Sequence, residues 1–261
     1  MQSVDGFPFE IAVSDDGVEQ AGEIARLVAR AREWLTPMLG VDPTFGLIVA
    51  SAKDWNGVAE VPIYGMPHTS GAARLIVGVE PAQFFSDLAR RLLPHTDDDV
   101  RAALHRAYGA DLDLGPFVDA IAIHELGHLY HEQVPFMFPR FWLNEFFANL
   151  VMVGFVVECS AALLDGMAAF ARAAASTPIT EFPVTALADM DQSFAGGPEN
   201  YGWFQMVLVD RAIALWNATG PKGLRELFTT LRTDGDDAEL LERLAAIDAT
   251  AAAVVTAWPT G

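Results

Sequence analysis

Three of the six histidines in the chain fall within eight residues: His124, His128 and His131. The first two frame the run His124-Glu125-Leu126-Gly127-His128. On a helix, positions i and i+4 share a face, so the two imidazoles converge on one point. Two converging imidazoles supply half of the four-coordinate set that zinc takes. Glu125 is rotated by about 100° from His124 on the same helix. It can reach a water beside the metal without being a ligand, which is the placement of a general base. His131 lies two turns beyond His124 on the same face. It is placed to line a cleft or accept a hydrogen bond, and it is too near His128 on one continuing helix to be the usual third ligand.

A second cluster follows at Trp142-Leu143-Asn144-Glu145-Phe146-Phe147-Ala148-Asn149. A carboxylate set among Trp142, Leu143, Phe146 and Phe147 is drawn inward, where it needs a cation. A zinc ion is such a cation, so Glu145 is the candidate third ligand, with one zinc expected per chain. Asn149, one turn further on the same face, is placed to hold a ligand histidine by its other ring nitrogen. The bland alternative makes the histidines surface residues of an amphipathic helix and Glu145 a solvent-facing acid.

In these two segments the chain resembles the gluzincin zinc metallopeptidases, in which an HExxH helix is followed by a second helix carrying a ligand Glu. The Trp-Leu-Asn-Glu-x-Phe-Ala form is most similar to the aminopeptidase N and leukotriene A4 hydrolase-like branch. Thermolysin-like members keep an Asp where this chain has Asn149. The resemblance implies that His124, His128 and Glu145 are zinc ligands and Glu125 the general base. The 16 residues between His128 and Glu145 are slightly fewer than in the aminopeptidases, which implies a tighter interhelical connection.

Glu199-Asn-Tyr-Gly-Trp-Phe204 is similar to the aminopeptidase segment in which a Tyr near a helix start donates to the oxyanion. That similarity implies a catalytic role for Tyr201; packing is the alternative. The likeness covers about residues 120–230, and the large N-terminal β-domain of the aminopeptidases is absent. Their Gly-x-Met-Glu-Asn strand has only a shadow in Tyr64-Gly65-Met66-Pro67-His68, without the acid that holds a substrate α-amine. The resemblance therefore implies an endopeptidase before an aminopeptidase. Asp54, Glu60 and Glu80 are the acids that the fold can bring into reach instead. A zinc-containing scaffold without turnover is the rival from another class; Glu125, which ligation does not need, weighs against it.

The elements that must position these groups are mostly helical. Val18, Ala21, Ala25, Val28, Leu35 and Leu39 recur at helical spacing after Ser14-Asp15, and Gly40 stops that helix. Phe45–Ala50 and Ala72–Gly78 read as strands, and the proline-bearing stretch Val61–Pro67 as an irregular edge strand. From Glu80 onward the pattern is helical. Thr96 caps one helix, Gly115-Pro116 opens the histidine helix, and another begins near Phe141. Further helices are expected at about 160–175, 199–217, 220–232 and 236–247. The expected fold is α+β: one metallopeptidase-like domain over 1–261, with a small N-terminal antiparallel sheet and helices in a lobe over 1–110. The zinc helix and a mainly helical lobe occupy 111–261.

Composition bounds the partners. The 261 residues carry 16 basic and 35 acidic side chains, a formal net charge of −19, which repels phosphate backbones and anionic lipid. Nucleic acid and membrane are therefore not expected partners; a peptide or protein substrate is what the metallopeptidase resemblance implies. A single cysteine, Cys159, rules out an internal disulfide framework and reads as a small buried apolar side chain. The mean hydropathy of +0.25 excludes a disordered chain. The longest uncharged apolar run, Phe146–Val157, is short of the roughly 20 residues a spanning helix needs. The N-terminus has acids where a signal peptide is apolar, so a cytoplasmic protein is expected. His68, His95 and His105 read as surface residues. Arg74 and Arg140 are free to meet a substrate carboxylate, though no motif supports either. Nothing in the sequence sets the oligomeric state.

Overall fold

The computed structural model describes residues 1–135 and 137–259. Short β-branched stretches in the first third form a five-stranded sheet, interleaved with helices. In chain order these are β1 (Gln2–Ser3), β2 (Glu10–Val13), α1 (Val18–Leu39), β3 (Gly46–Ala50), α2 (Ala52–Val58), β4 (His68–Thr69) and β5 (Arg74–Gly78). The strand order is β1-β2-β3-β5-β4. The α+β class expected from the sequence is observed, but the sheet is mixed and not antiparallel throughout. β2, β3 and β5 run parallel, with Ile11 opposite Leu47 and Leu47 opposite Leu75. Only the short outer strands β1 and β4 are antiparallel to their neighbours. The reason is connectivity: parallel neighbours need a long crossover, and α1 supplies one between β2 and β3.

The sheet is covered on both faces. Ile11, Val13, Leu47, Val49, Leu75 and Val77 point into the main core. Ile48, Ala50 and Ile76 pack on the other side against Trp55 of α2. The stretch Val61–Pro67 forms bends and turns and no strand; the edge strand is the two residues that follow it. Gly65 has φ +77°, and a Cβ there would sit 2.5 Å from the Glu80 carbonyl oxygen. Only glycine fits that close crossing.

The rest of the chain is helical: α3 (Gln83–Leu92), α4 (Asp98–Tyr108), α5 (Gly115–Glu132), α6 (Phe141–Cys159), α7 (Leu164–Ser176), α8 (Pro198–Thr219), α9 (Pro221–Thr230), α10 (Asp237–Ile247) and α11 (Ala249–Thr256). Asp97, and not Thr96, caps α4: its carboxylate accepts from the Val100 amide, while the Thr96 hydroxyl donates to Leu93. Likewise Gly17, and not Ser14, precedes α1, and the Ser14 hydroxyl donates to Asp54.

Helices α5 and α6 are apolar on nearly every face, the mark of buried central helices. Thirteen residues of α5 and fourteen of α6 are buried. By length and composition α6 is the one candidate membrane span among the described residues, and 78% of its apolar window is buried inside the fold. The two helices pack closely because of Gly127. A Cβ there would stand 3.1 Å from the Cα of Ala148 and 3.4 Å from the Cβ of Val151. This close approach brings the histidine face of α5 against Glu145 of α6. Helix α8 then packs across α6 and completes the surround.

Candidate metal centre

The ring nitrogens Nε2 of His124 and His128 lie 3.0 Å apart. Glu145 Oε2 lies 3.3 Å from the first and 3.6 Å from the second. Three ligand atoms at tetrahedral angles, with zinc bonds of about 2.0–2.2 Å, are separated by about 3.3–3.6 Å. The two sides of the triangle that meet at Glu145 fall in that range, the His124–His128 side is shorter at 3.0 Å, and the three members are 5%, 9% and 5% exposed. Two nitrogens and a carboxylate oxygen at this separation, away from water, need a proton or a cation between them. The donor set is of a kind that zinc takes: two imidazoles, one carboxylate and an open side toward a cavity.

Charge in the site follows from that crowding. Burial lowers the pKa of His128, but the charge and hydrogen bond of Glu145 outweigh burial and lift it to about 9. Burial would raise the Glu145 carboxyl, yet His128 and His124 together hold it well below the usual carboxylate range.

Glu125 is turned off the triangle, as its place in the helix dictates. Its Oε2 accepts from the Thr69 amide at 3.0 Å, and its Oε1 is 4.0 Å from His124 Nε2. Burial pushes its pKa up, while the two histidines pull it down. A carboxyl whose pKa burial raises, next to the triangle, is suited to taking and returning a proton.

Asn149 is where its spacing from Glu145 puts it, with Oδ1 3.0 Å from His124 Nδ1. His131 is 2% exposed and lies with Nε2 3.0 Å from His128 Nδ1. Burial and the nearby His128 hold its pKa down near 3, so it is a neutral acceptor for the His128 ring N–H. It also lines the cavity, and its own Nδ1 has no partner among the described residues. Tyr201 lines the cavity too, but its hydroxyl donates to Glu145 Oε2 at 3.0 Å. It is thus bonded to a member of the triangle. Burial, followed by the Glu145 charge, keeps the phenol well above its ordinary pKa, so it remains a donor.

Two neighbours, Gln205 and His68, were not foreseen in the site, while Glu60 is one of the acids expected to come within reach. Gln205, one turn after Tyr201 on α8, donates from Nε2 to Glu145 and to the Tyr201 hydroxyl, and its Oε1 accepts from Asn149 at 2.7 Å. The available signal was a lone amide within Trp203-Phe204-Gln205-Met206-Val207. His68 is not a surface residue: it is 7% exposed, lines the cavity and lies against Trp55. Glu60 also reaches the cavity, where its Oε1 accepts from the Ser70 hydroxyl at 2.6 Å. By contrast His105 is exposed and His95 half-buried, and neither lines the cavity. Arg140 is engaged by Asp237 at 2.6 Å, and Arg74, exposed, does not line the cavity. Cys159 is only partly buried.

The cavity has a volume of about 720 Å³. Its apolar walls include Phe84, Phe85, Phe117 and Ile121, with Met137, Phe141 and Phe194 at more exposed positions. β4, the edge of the sheet, lies along it with His68 and Thr69.

Comparison with protein-family models, with curated proteins and with solved structures finds no match to this chain.

Proposed function

We propose that the protein is a zinc-dependent hydrolase of peptide bonds of the gluzincin type, with His124, His128 and Glu145 holding one zinc ion. The observation that carries this reading is the buried triangle of 3.0, 3.3 and 3.6 Å, with Glu125 beside it, 4.0 Å from His124 Nε2 and bonded to the Thr69 amide. When bound, zinc would acidify water and polarise the scissile carbonyl. Glu125 would take a proton from the attacking water as its oxygen joins the carbonyl carbon. It would return that proton to the amine nitrogen as the C–N bond breaks. Tyr201, whose hydroxyl lies 3.0 Å from Glu145 Oε2 and which lines the cavity, would donate to the developing oxyanion. An extended peptide would lie along β4, whose outer edge has no strand neighbour, by main-chain hydrogen bonding.

Cleavage inside a chain is the first reading, because no carboxylate stands at Gly65–His68. Glu60 supports a second reading: it lines the same cavity beside β4 and can pair with an α-ammonium. A pair of peptides with one internal sequence, one N-acetylated and one free, tests both readings against the Glu125→Gln variant. Internal cleavage of both peptides, lost on chelation and in the variant, supports an endopeptidase. Stepwise trimming of the free peptide alone supports the aminopeptidase reading. No cleavage across an unbiased peptide library by the zinc-loaded protein would refute both.

A further inference from the structure

The side-chain amide of Gln205 sits between two residues of the centre. One end accepts from Asn149 Nδ2 at 2.7 Å, and the other donates to Glu145 Oε2. Asn149 in turn faces His124 Nδ1 at 3.0 Å through its Oδ1. Three helices are thereby joined: α5 by His124, α6 by Glu145 and Asn149, and α8 by Gln205. His124, Glu145, Asn149 and Gln205 are all less than a tenth exposed, on the wall of the cavity.

The direction of this chain has a single solution. An ionised carboxylate only accepts, so Gln205 must turn its Nε2 to Glu145 and its Oε1 to Asn149. Asn149 must then present Nδ2 to Gln205 and Oδ1 to His124. His124 must carry its proton on Nδ1, which leaves the Nε2 lone pair facing the metal position. A charge fixed on one ligand therefore sets the tautomer of another through two amides.

Resting on the metal reading above, we propose that Gln205 is a positioning residue for the metal centre: through Asn149 and Glu145 it couples the tautomer of one ligand to the orientation of another. It is not one of the three proposed ligands and acts through Asn149 and Glu145. Partners of this kind are typically worth 10- to 100-fold in metal affinity.

The test is zinc affinity, by chelator competition, of the full chain and of Gln205→Met, which keeps length and apolar fit but removes both polar ends. The Co(II) absorption spectrum of each protein is recorded alongside, because its bands report ligand geometry, which a merely structural role would not move. Asn149→Asp is the second variant. It keeps an acceptor for His124 but sets an oxygen against Gln205 Oε1, reversing the chain at one link. The expected result is wild-type zinc binding at one per chain, a 10- to 100-fold loss in Gln205→Met with a shifted cobalt spectrum, and a similar change in Asn149→Asp. Affinity within twofold of wild type and an unchanged spectrum in a folded Gln205→Met would overturn the positioning role alone. If Gln205→Met does not fold, the same pair of results in Asn149→Asp decides. Absence of zinc binding by the wild type would overturn the metal reading, and this proposal with it.

Discussion

Replacing Glu125 by Gln separates holding the metal from using it. The amide has the shape of the carboxyl, so its oxygen can keep the bond from the Thr69 amide, 3.0 Å long in the structure. Its nitrogen takes the place of Oε1, 4.0 Å from His124 Nε2 and outside hydrogen-bond reach. No contact of the His124–His128–Glu145 triangle is lost. The fold exchanges a hydrogen bond to a charged acceptor for one to a neutral acceptor, a loss of about 1 kcal/mol. Relief of a buried carboxyl whose pKa burial already pushes up acts against that loss. Stability is therefore expected to stay within about 1 kcal/mol of wild type. A missing general base lowers the rate by about two to four orders of magnitude, or roughly 3–5 kcal/mol of barrier. Three measurements on one preparation decide: zinc content, thermal midpoint, and kcat/KM on a peptide that the wild type cleaves. Undiminished kcat/KM, or loss of zinc from a folded variant, would show that Glu125 has been given the wrong role.

Tyr201→Phe removes the donor to Glu145 at 3.0 Å and little volume; kcat is expected to drop with KM nearly unchanged, and steady-state kinetics with unchanged kcat would return Tyr201 to a packing role. Gly127→Val drives a side chain into Ala148 and Val151, so denaturant unfolding should show a loss of about 1–3 kcal/mol, together with weaker zinc binding as α5 and α6 separate. Asp119, far from the triangle in its contacts, tests the electrostatics of the fold independently. Burial, then Glu23 and Asp113, lifts its pKa to about 6, so the folded protein holds that proton more tightly than the unfolded chain does. Its contribution to stability is present below about pH 4 and is lost as pH rises to about 6. Asp119→Asn keeps an acceptor for Gln20 and should raise the melting temperature at pH 7 but not at pH 4; an equal shift at both would contradict the assignment.

The histidine helix and the Glu145 helix were legible because their signals are local. Pro116 marks one start, and HExxH and the flanking apolar residues fix which face holds chemistry. The Asn149 contact follows from the same i, i+4 geometry on α6. What escaped was long-range. The parallel register of β2, β3 and β5 depends on a crossover that strand patterns do not record, and β2 itself is only four residues long. His68 looks like a surface residue by composition; it is buried because the turn at Gly65 folds it back over Trp55. Gln205 is 60 residues from Glu145, and only the packing of α8 across α6 reveals that its amide has a task. The expected role of Tyr201 rests on resemblance alone, and its bond to Glu145 belongs to the tertiary fold.

The most direct test of the account is a crystal structure of the zinc-loaded protein with anomalous data on both sides of the zinc absorption edge. The account predicts one zinc peak per chain within about 2.0–2.2 Å of His124 Nε2, His128 Nε2 and Glu145 Oε2, with Glu125 beside it and unbonded. A protein with no zinc peak, or with one held by other residues while Glu145 stands apart from it, would contradict it.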